Sequence, residues 1–221
     1  MRLRRMASCV LVLASFAITA GAQDQVPATG QAATSAPAAA TPLTQADRDK
    51  ALKYLEETRQ GVVDATKGLS EAQWNFKPAP DRWSVAECME HIALAEDFMR
   101  GLVVDKVMKA PARRELVDLA QVDEMVITMI PDRSHKRQAP DPLKPVNHFG
   151  SPDASLKHFM DSRTTTEGYL TKTAGLRDHA IMSPLGKDLD GYEWILFIGA
   201  HSKRHTEQIL EVKADPKFPK S

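Results

Sequence analysis

His201 and His205 stand four residues apart in a stretch of helical periodicity. Residues so spaced share one helix face, with Cβ atoms about 5–6 Å apart, and both imidazoles can reach a single ion. Such pairs are also common on surfaces and in cores, and the spacing allows binding without requiring it. A third histidine, His91, falls on the apolar stripe of another helix. An imidazole turned inward without a partner loses hydration and hydrogen bonds, and coordination of a metal would compensate that loss. Imidazole suits zinc, nickel, iron and copper alike, so the donors do not select the metal. Three protein ligands leave positions open for water or a reactant, which suits catalysis more than a purely structural site.

Other chemistry-bearing residues each admit two readings. Cys88, one turn before His91, is either a fourth, thiolate ligand or a small buried core group. Glu87 and Glu207 could support the ligands from behind, but Glu87 already has a capping role and either could face solvent. Arg133, Lys136 and Arg137 could meet an anionic substrate or form a solvated surface. The remaining histidines, His135, His148, His158 and His179, have no partner at a useful spacing and read as surface residues.

These residues need helices to hold them. Leu52, Leu55, Val62 and Leu69 recur at helical spacing after Thr44, which predicts a helix from there to about Lys67, ended by Gly68. Residues 69–83, with Pro78 and Pro80, read as a loop pinned to the core by Trp74, Phe76 and Trp83. Ser84 and Glu87 form a capping box that starts the next helix and sets its register. Cys88, His91, Ile92, Ala95, Phe98 and Leu102 then lie on one inward stripe. Residues 121–130 fit helical spacing, although Val126-Ile127-Thr128 favours extension, and a short helix is expected. The proline-rich segment 131–152 reads as a long loop, a length often used for lids and binding elements. Ser151 and Pro152 open a helix reaching Thr173, and another starts near Gly191 and carries Trp194, Ile195, Ile198, His201, His205 and Ile209. Four long helices and no firm strand predict an all-α bundle, whose sites are built from inward side chains of facing helices.

The first 22 residues read as a secretory signal: Arg2, Arg4 and Arg5, then an apolar run from Val10 to Ala20, then Ala20-Gly21-Ala22 as cleavage site. The run is too short for a bilayer span, and no stable membrane insertion is expected after cleavage. Residues 23–42, rich in Ala, Thr, Pro and Gln, bury too little surface to order and read as a flexible tether. Residues 43–221 remain as one domain. The whole chain balances 29 basic against 29 acidic residues, and loss of the leader leaves 26 against 29. Without a basic excess there is no footprint for nucleic acid. Only Cys88 survives processing, so this exported, periplasmic or secreted chain forms no internal disulfide.

Trp83-Ser84-Val85-Ala86-Glu87 with Glu90-His91-Ile92, and later His201-Ser202-Lys203-Arg204-His205-Thr206-Glu207-Gln208-Ile209, resemble the DinB-like (DinB/YfiT) superfamily across nearly all of residues 43–212. Asp132-Arg133-Ser134 through Pro145 is similar to a loop found in many members. The resemblance implies a four-helix bundle of up-up-down-down connection, with a long loop between its second and third helices, often dimeric. It also implies a three-histidine site, here His91, His201 and His205, usually holding zinc or nickel. Characterised members include transferases and isomerases dependent on small thiols, which an exported chain would not meet. A metal-dependent hydrolase or transferase of unknown substrate is therefore the leading expectation. The alternatives are a non-catalytic metal- or ligand-binding bundle, stabilised by an ion that binds only the native state, and the same bundle with metal-free histidines.

Overall fold

The computed structural model of the protein describes residues 42–112 and 117–220. The expected leader 1–22, and all of the expected tether 23–42 except Pro42, lie outside those residues. No helix among the described residues is long and apolar enough to cross a membrane.

Helix α1 (Gln45–Thr66) opens on a reciprocal cap in which Thr44 accepts the Asp47 N–H and the Asp47 carboxylate accepts that of Thr44. Gly68, at φ +69°, turns the chain out of it. The region read as a loop contains a further short helix, α2 (Glu71–Asn75), capped by Ser70 and Gln73. Helix α3 (Val85–Asp105) starts on the expected Ser84–Glu87 box. Residues 119–129 settle as helix α4 (Leu119–Met129), and α5 (Pro152–Lys172) begins on Ser151. A hairpin absent from the sequence reading follows, strands β1 (Ala180–Met182) and β2 (Asp188–Asp190), antiparallel with Ala180 opposite Asp190. Asp190 then caps α6 (Gly191–Lys213) in a box with Glu193.

The four long helices α1, α3, α5 and α6 make the expected all-α bundle, and a long connection separates its second and third helices. Their directions differ from the expected order. The Tyr192 hydroxyl donates to the Asp47 carbonyl at one end and the Lys213 ammonium to the Ala65 carbonyl at the other, so α1 and α6 run parallel. Arg48 near the start of α1 donates to the Leu170 and Thr173 carbonyls at the end of α5, so those two are antiparallel. Asp97 meets His158 and Ser162, while Glu90 meets the residues before α5, which makes α3 and α5 parallel. The order is up-down-down-up. Trp74 and Phe76 hold the α1–α3 connection at one end of the bundle, Phe76 edge-on to Phe218 at 5.6 Å, so α3 returns antiparallel to α1. The single long crossover lies between α3 and α5, and α4 provides its return leg along α6, Asp123 near the α6 N-terminus and Ile130 beside Arg204.

Two apolar clusters fill the bundle. One gathers Val62, Trp74, Cys88, Met89, Phe159 and Ile209; the other is built on Leu55, Val103, Leu170, Tyr192, Ile195 and Ile198. Where they meet, the Arg163 and Glu96 side chains pair with no exposure at all, Nε to Oε1 and an Nη to Oε2 at 2.8 Å each. Arg163 also donates to the Leu55 carbonyl at 2.6 Å, to Thr58 at 3.0 Å and to Ser202 at 2.9 Å, while Thr166 donates to Glu96 at 2.9 Å. One buried ion pair thus ties all four helices and fixes the rotation of α6 at Ser202, next to His201.

Candidate metal centre

Helix α3 and the loop beyond α4 set His91. Its Nδ1–H donates to the Leu143 carbonyl at 2.7 Å, within a 3₁₀ turn at Asp141–Leu143. The preceding residue, Glu90, accepts the backbone N–H groups of Val146, Asn147 and His148 at 2.8, 2.9 and 2.8 Å. Adjacent residues of α3 therefore fasten the 141–148 segment, and one of them receives its ring orientation in return. On α6, Arg204 between the two histidines donates to the carbonyls of Ile130, Asp132 and His135, drawing the chain after α4 onto the helix.

His91 Nε2 and His201 Nε2 lie 3.2 Å apart, and one nitrogen from each of His91, His201 and His205 falls within 4.8 Å of the others. His205 Nδ1–H donates to Gln208 Oε1 at 2.9 Å. That oxygen also accepts from Arg133 at 3.3 Å, and Arg133 grips both oxygens of Glu211 at 2.7 and 2.8 Å. With Nδ1 donating in His91 and His205, the Nε2 atoms of both carry lone pairs. Trp83 covers the group, its ring centroid 4.8 Å from that of His91 and 6.1 Å from that of His205.

Burial lowers the pKa of all three imidazoles. In His201 the neighbouring His205 and His91 add to the effect of desolvation, and in His205 the neighbouring His91 does. The rings are accordingly neutral and able to donate their lone pairs. Two nitrogens bound at about 2.0–2.1 Å to one tetrahedral ion stand about 3.3 Å apart, which the His91–His201 separation matches. The donor set therefore fits a divalent ion. The same shifts have a sign for stability: the unfolded chain binds more protons than the folded one below an ordinary imidazole pKa near 6.5, so stability falls as pH drops through that region toward the folded values. The metal-free protein is expected to lose thermal midpoint on acidification from pH 7, and His201→Ala/His205→Ala to lose less. Parallel melting curves at successive pH values check this.

Among the described residues the group consists of these three histidines. Cys88 packs in the apolar cluster with Met89 and Trp74, and burial pushes its thiol up, so it is a core cysteine and not a fourth ligand. Glu87 is held by its cap and by Lys77 at 2.8 Å, and Glu207 is exposed; the support behind the histidines comes instead from the Leu143 carbonyl and Gln208. Of the other histidines, His135 and His148 are exposed as expected. His158 is not a free surface residue: it bonds Asp97 at 2.6 Å and stacks on Phe149. His179 is partly buried and bridges to Ala112.

The histidines lie at the wall of a cleft of about 860 Å³. Phe98, expected on the inward stripe, instead faces this cleft and stays 48% exposed. Trp194 and Phe197 stack in its wall, 5.3 Å between ring centroids, and the buried Trp194 indole N–H has no acceptor among the described residues. Arg133, Lys136, Arg137 and Arg204 line it as well.

A model of the DinB superfamily matches residues 54–209. Among curated proteins, the chain is 28% identical over 166 residues to the uncharacterized protein YuaE of Bacillus subtilis (strain 168), covering 73% of this chain and 96% of YuaE. Among solved structures, it aligns with YfiT from Bacillus subtilis, described as a probable metal-dependent hydrolase with an unusual four-helix bundle topology. That alignment has a TM-score of 0.50 and 15% identity, and covers 77% of this chain and 88% of YfiT. At that identity the likeness speaks to the fold.

Proposed function

The chain belongs to the DinB superfamily, and from that membership we propose that His91, His201 and His205 hold one divalent ion, zinc or nickel, in a metal-dependent hydrolase. The 3.2 Å approach of two imidazole nitrogens, one of them obliged by its Leu143 bond to present a lone pair, carries the reading. A bound ion would supply Lewis-acid polarisation to an oxygen or sulfur atom of the reactant. The chain's own residues do the rest. Leu143 and Gln208 hold two rings in the tautomer that presents Nε2. Trp83 packs against His91 and His205, which lowers the polarity around these two rings and strengthens their electrostatic contacts. Hydrolysis is preferred to thiol transfer because residues 1–22 support export, and water is available outside the membrane where cytoplasmic thiols are not. The description of YfiT as a probable metal-dependent hydrolase agrees with this reading.

Elemental analysis of the purified protein, dialysed against trace-metal-free buffer, tests the proposal. About one divalent ion per chain supports it and licenses a screen of hydrolysable esters and amides; negligible metal, with no uptake on adding zinc or nickel, overturns it. Gln208→Ala frees His205 Nδ1 and is expected to weaken the metal about 10–100-fold without changing the fold, as judged by competition with a chromogenic chelator.

A further inference from the structure

The cleft beside the histidines has two chemically distinct halves. Phe98 and Met182 remain 48% and 65% exposed, large apolar side chains left open to solvent, next to the stacked Trp194 and Phe197. The other half is basic. Arg133 is occupied by Glu211, and Arg204 by three backbone carbonyls. Lys136 and Arg137 are exposed on the same lining and have no carboxylate partner among the described residues. Of the two carboxylates in the lining, Glu87 is bound to Lys77, which leaves Asp81 as one negative charge against Lys136 and Arg137. A cleft of about 860 Å³ is the size that encloses a small organic molecule, and such sites combine apolar walls with a few placed polar groups.

We propose that the reactant is an amphipathic organic anion, with an aromatic or aliphatic body lying against Phe98, Met182 and Phe197 and an anionic group met by Lys136 and Arg137. This rests on the metal reading for the identity of the reacting centre, but the recognition does not depend on it. A body without charge leaves the two cations hydrated, and a small anion without a body leaves the apolar half wet; only a molecule with both satisfies the cleft. Neutral imidazoles add no negative charge, and a divalent ion among them raises the positive potential that draws such an anion in.

Isothermal titration of the full chain with 4-phenylbutyrate, its neutral amide and butyrate, on samples of measured metal content, tests the assignment. The expected result is binding of 4-phenylbutyrate about tenfold tighter than either of the other two. Lys136→Ala/Arg137→Ala should bring the acid down to the level of the amide with metal content unchanged, and Phe98→Ala should weaken the acid while leaving butyrate as it was. Equal binding of acid and amide overturns the proposal. So does a preference that survives in the Lys136→Ala/Arg137→Ala chain, since the anion would then sit on the metal. Sedimentation with phosphatidylglycerol vesicles that depends on Lys136 and Arg137, with no binding of the soluble acid, would assign the basic half to a membrane surface and overturn it too. A metal-free wild type would sink the metal reading alone, because the ratio of acid to amide is still read.

Discussion

A His201→Ala/His205→Ala chain is expected to keep its helix content and to retain no divalent ion after dialysis. Structural zinc binding is worth roughly 10–16 kcal/mol over a full ligand set, so removing two of three protein ligands removes on the order of 5 kcal/mol, about four orders of magnitude in affinity. The fold should tolerate the change. His205 is buried and His201 partly so, and with no ion present the desolvation of their imidazoles opposes folding. At pH 7, where the imidazoles are neutral in both folded and unfolded chains, the two proteins should therefore melt nearly alike without metal and separate when zinc is added. Wild type should gain about 4 kcal/mol at metal a thousandfold above its Kd, and the variant nothing. A variant that still carries one ion per chain, or gains the same midpoint on adding zinc, would show that other residues bind it.

The second large effect lies away from the cleft. Glu96→Ala leaves the Arg163 guanidinium charged, buried and short of its carboxylate, and truncating one partner of such a pair costs about 3–5 kcal/mol. That is a large fraction of the roughly 5–15 kcal/mol holding an ordinary domain together. Replacing both partners, as Glu96→Leu/Arg163→Met, should restore most of the loss, because the cost comes from the orphaned charge. The double variant still lacks the Arg163 bond to Ser202, so its stability should return further than its metal affinity. Urea denaturation followed by far-ultraviolet circular dichroism, beside metal titration, reads both. Equal stability of Glu96→Ala and wild type would mean that the pair contributes nothing to the fold.

The histidine triad was legible because His201 and His205 repeat at helical spacing and the Ser84–Glu87 box fixes the register of His91. Helix α2 was missed although Ser70 and Gln73 carry the same kind of box, since the prolines just beyond it dominate the reading of 69–83. The hairpin before α6 is too short for a periodic signal; Pro184 and Gly186, the latter at φ +71°, mark its turn. Helix directions could not be read from the sequence. They depend on which end of the bundle holds each connection, and that is decided by contacts such as Phe76 with Phe218, far apart in the chain. Buried Glu96 and Arg163 look like surface charges until the helices around them are placed. Gln208 stands one turn from His205 within the His201–Ile209 motif, but its role becomes visible only with the position of Arg133.

The parallel pairing of α1 with α6 also sets an order of events in time. The first and last helices are direct neighbours, so α1 has no partner along that face until residues 191–213 have been made. Contacts so distant in sequence close late and slow the search for the native state. Two of the three histidines arrive on that last helix, so a nascent chain carrying only His91 has no centre to load. Assembly of the pocket must therefore wait until residues 191–213 have been made and have packed beside α1.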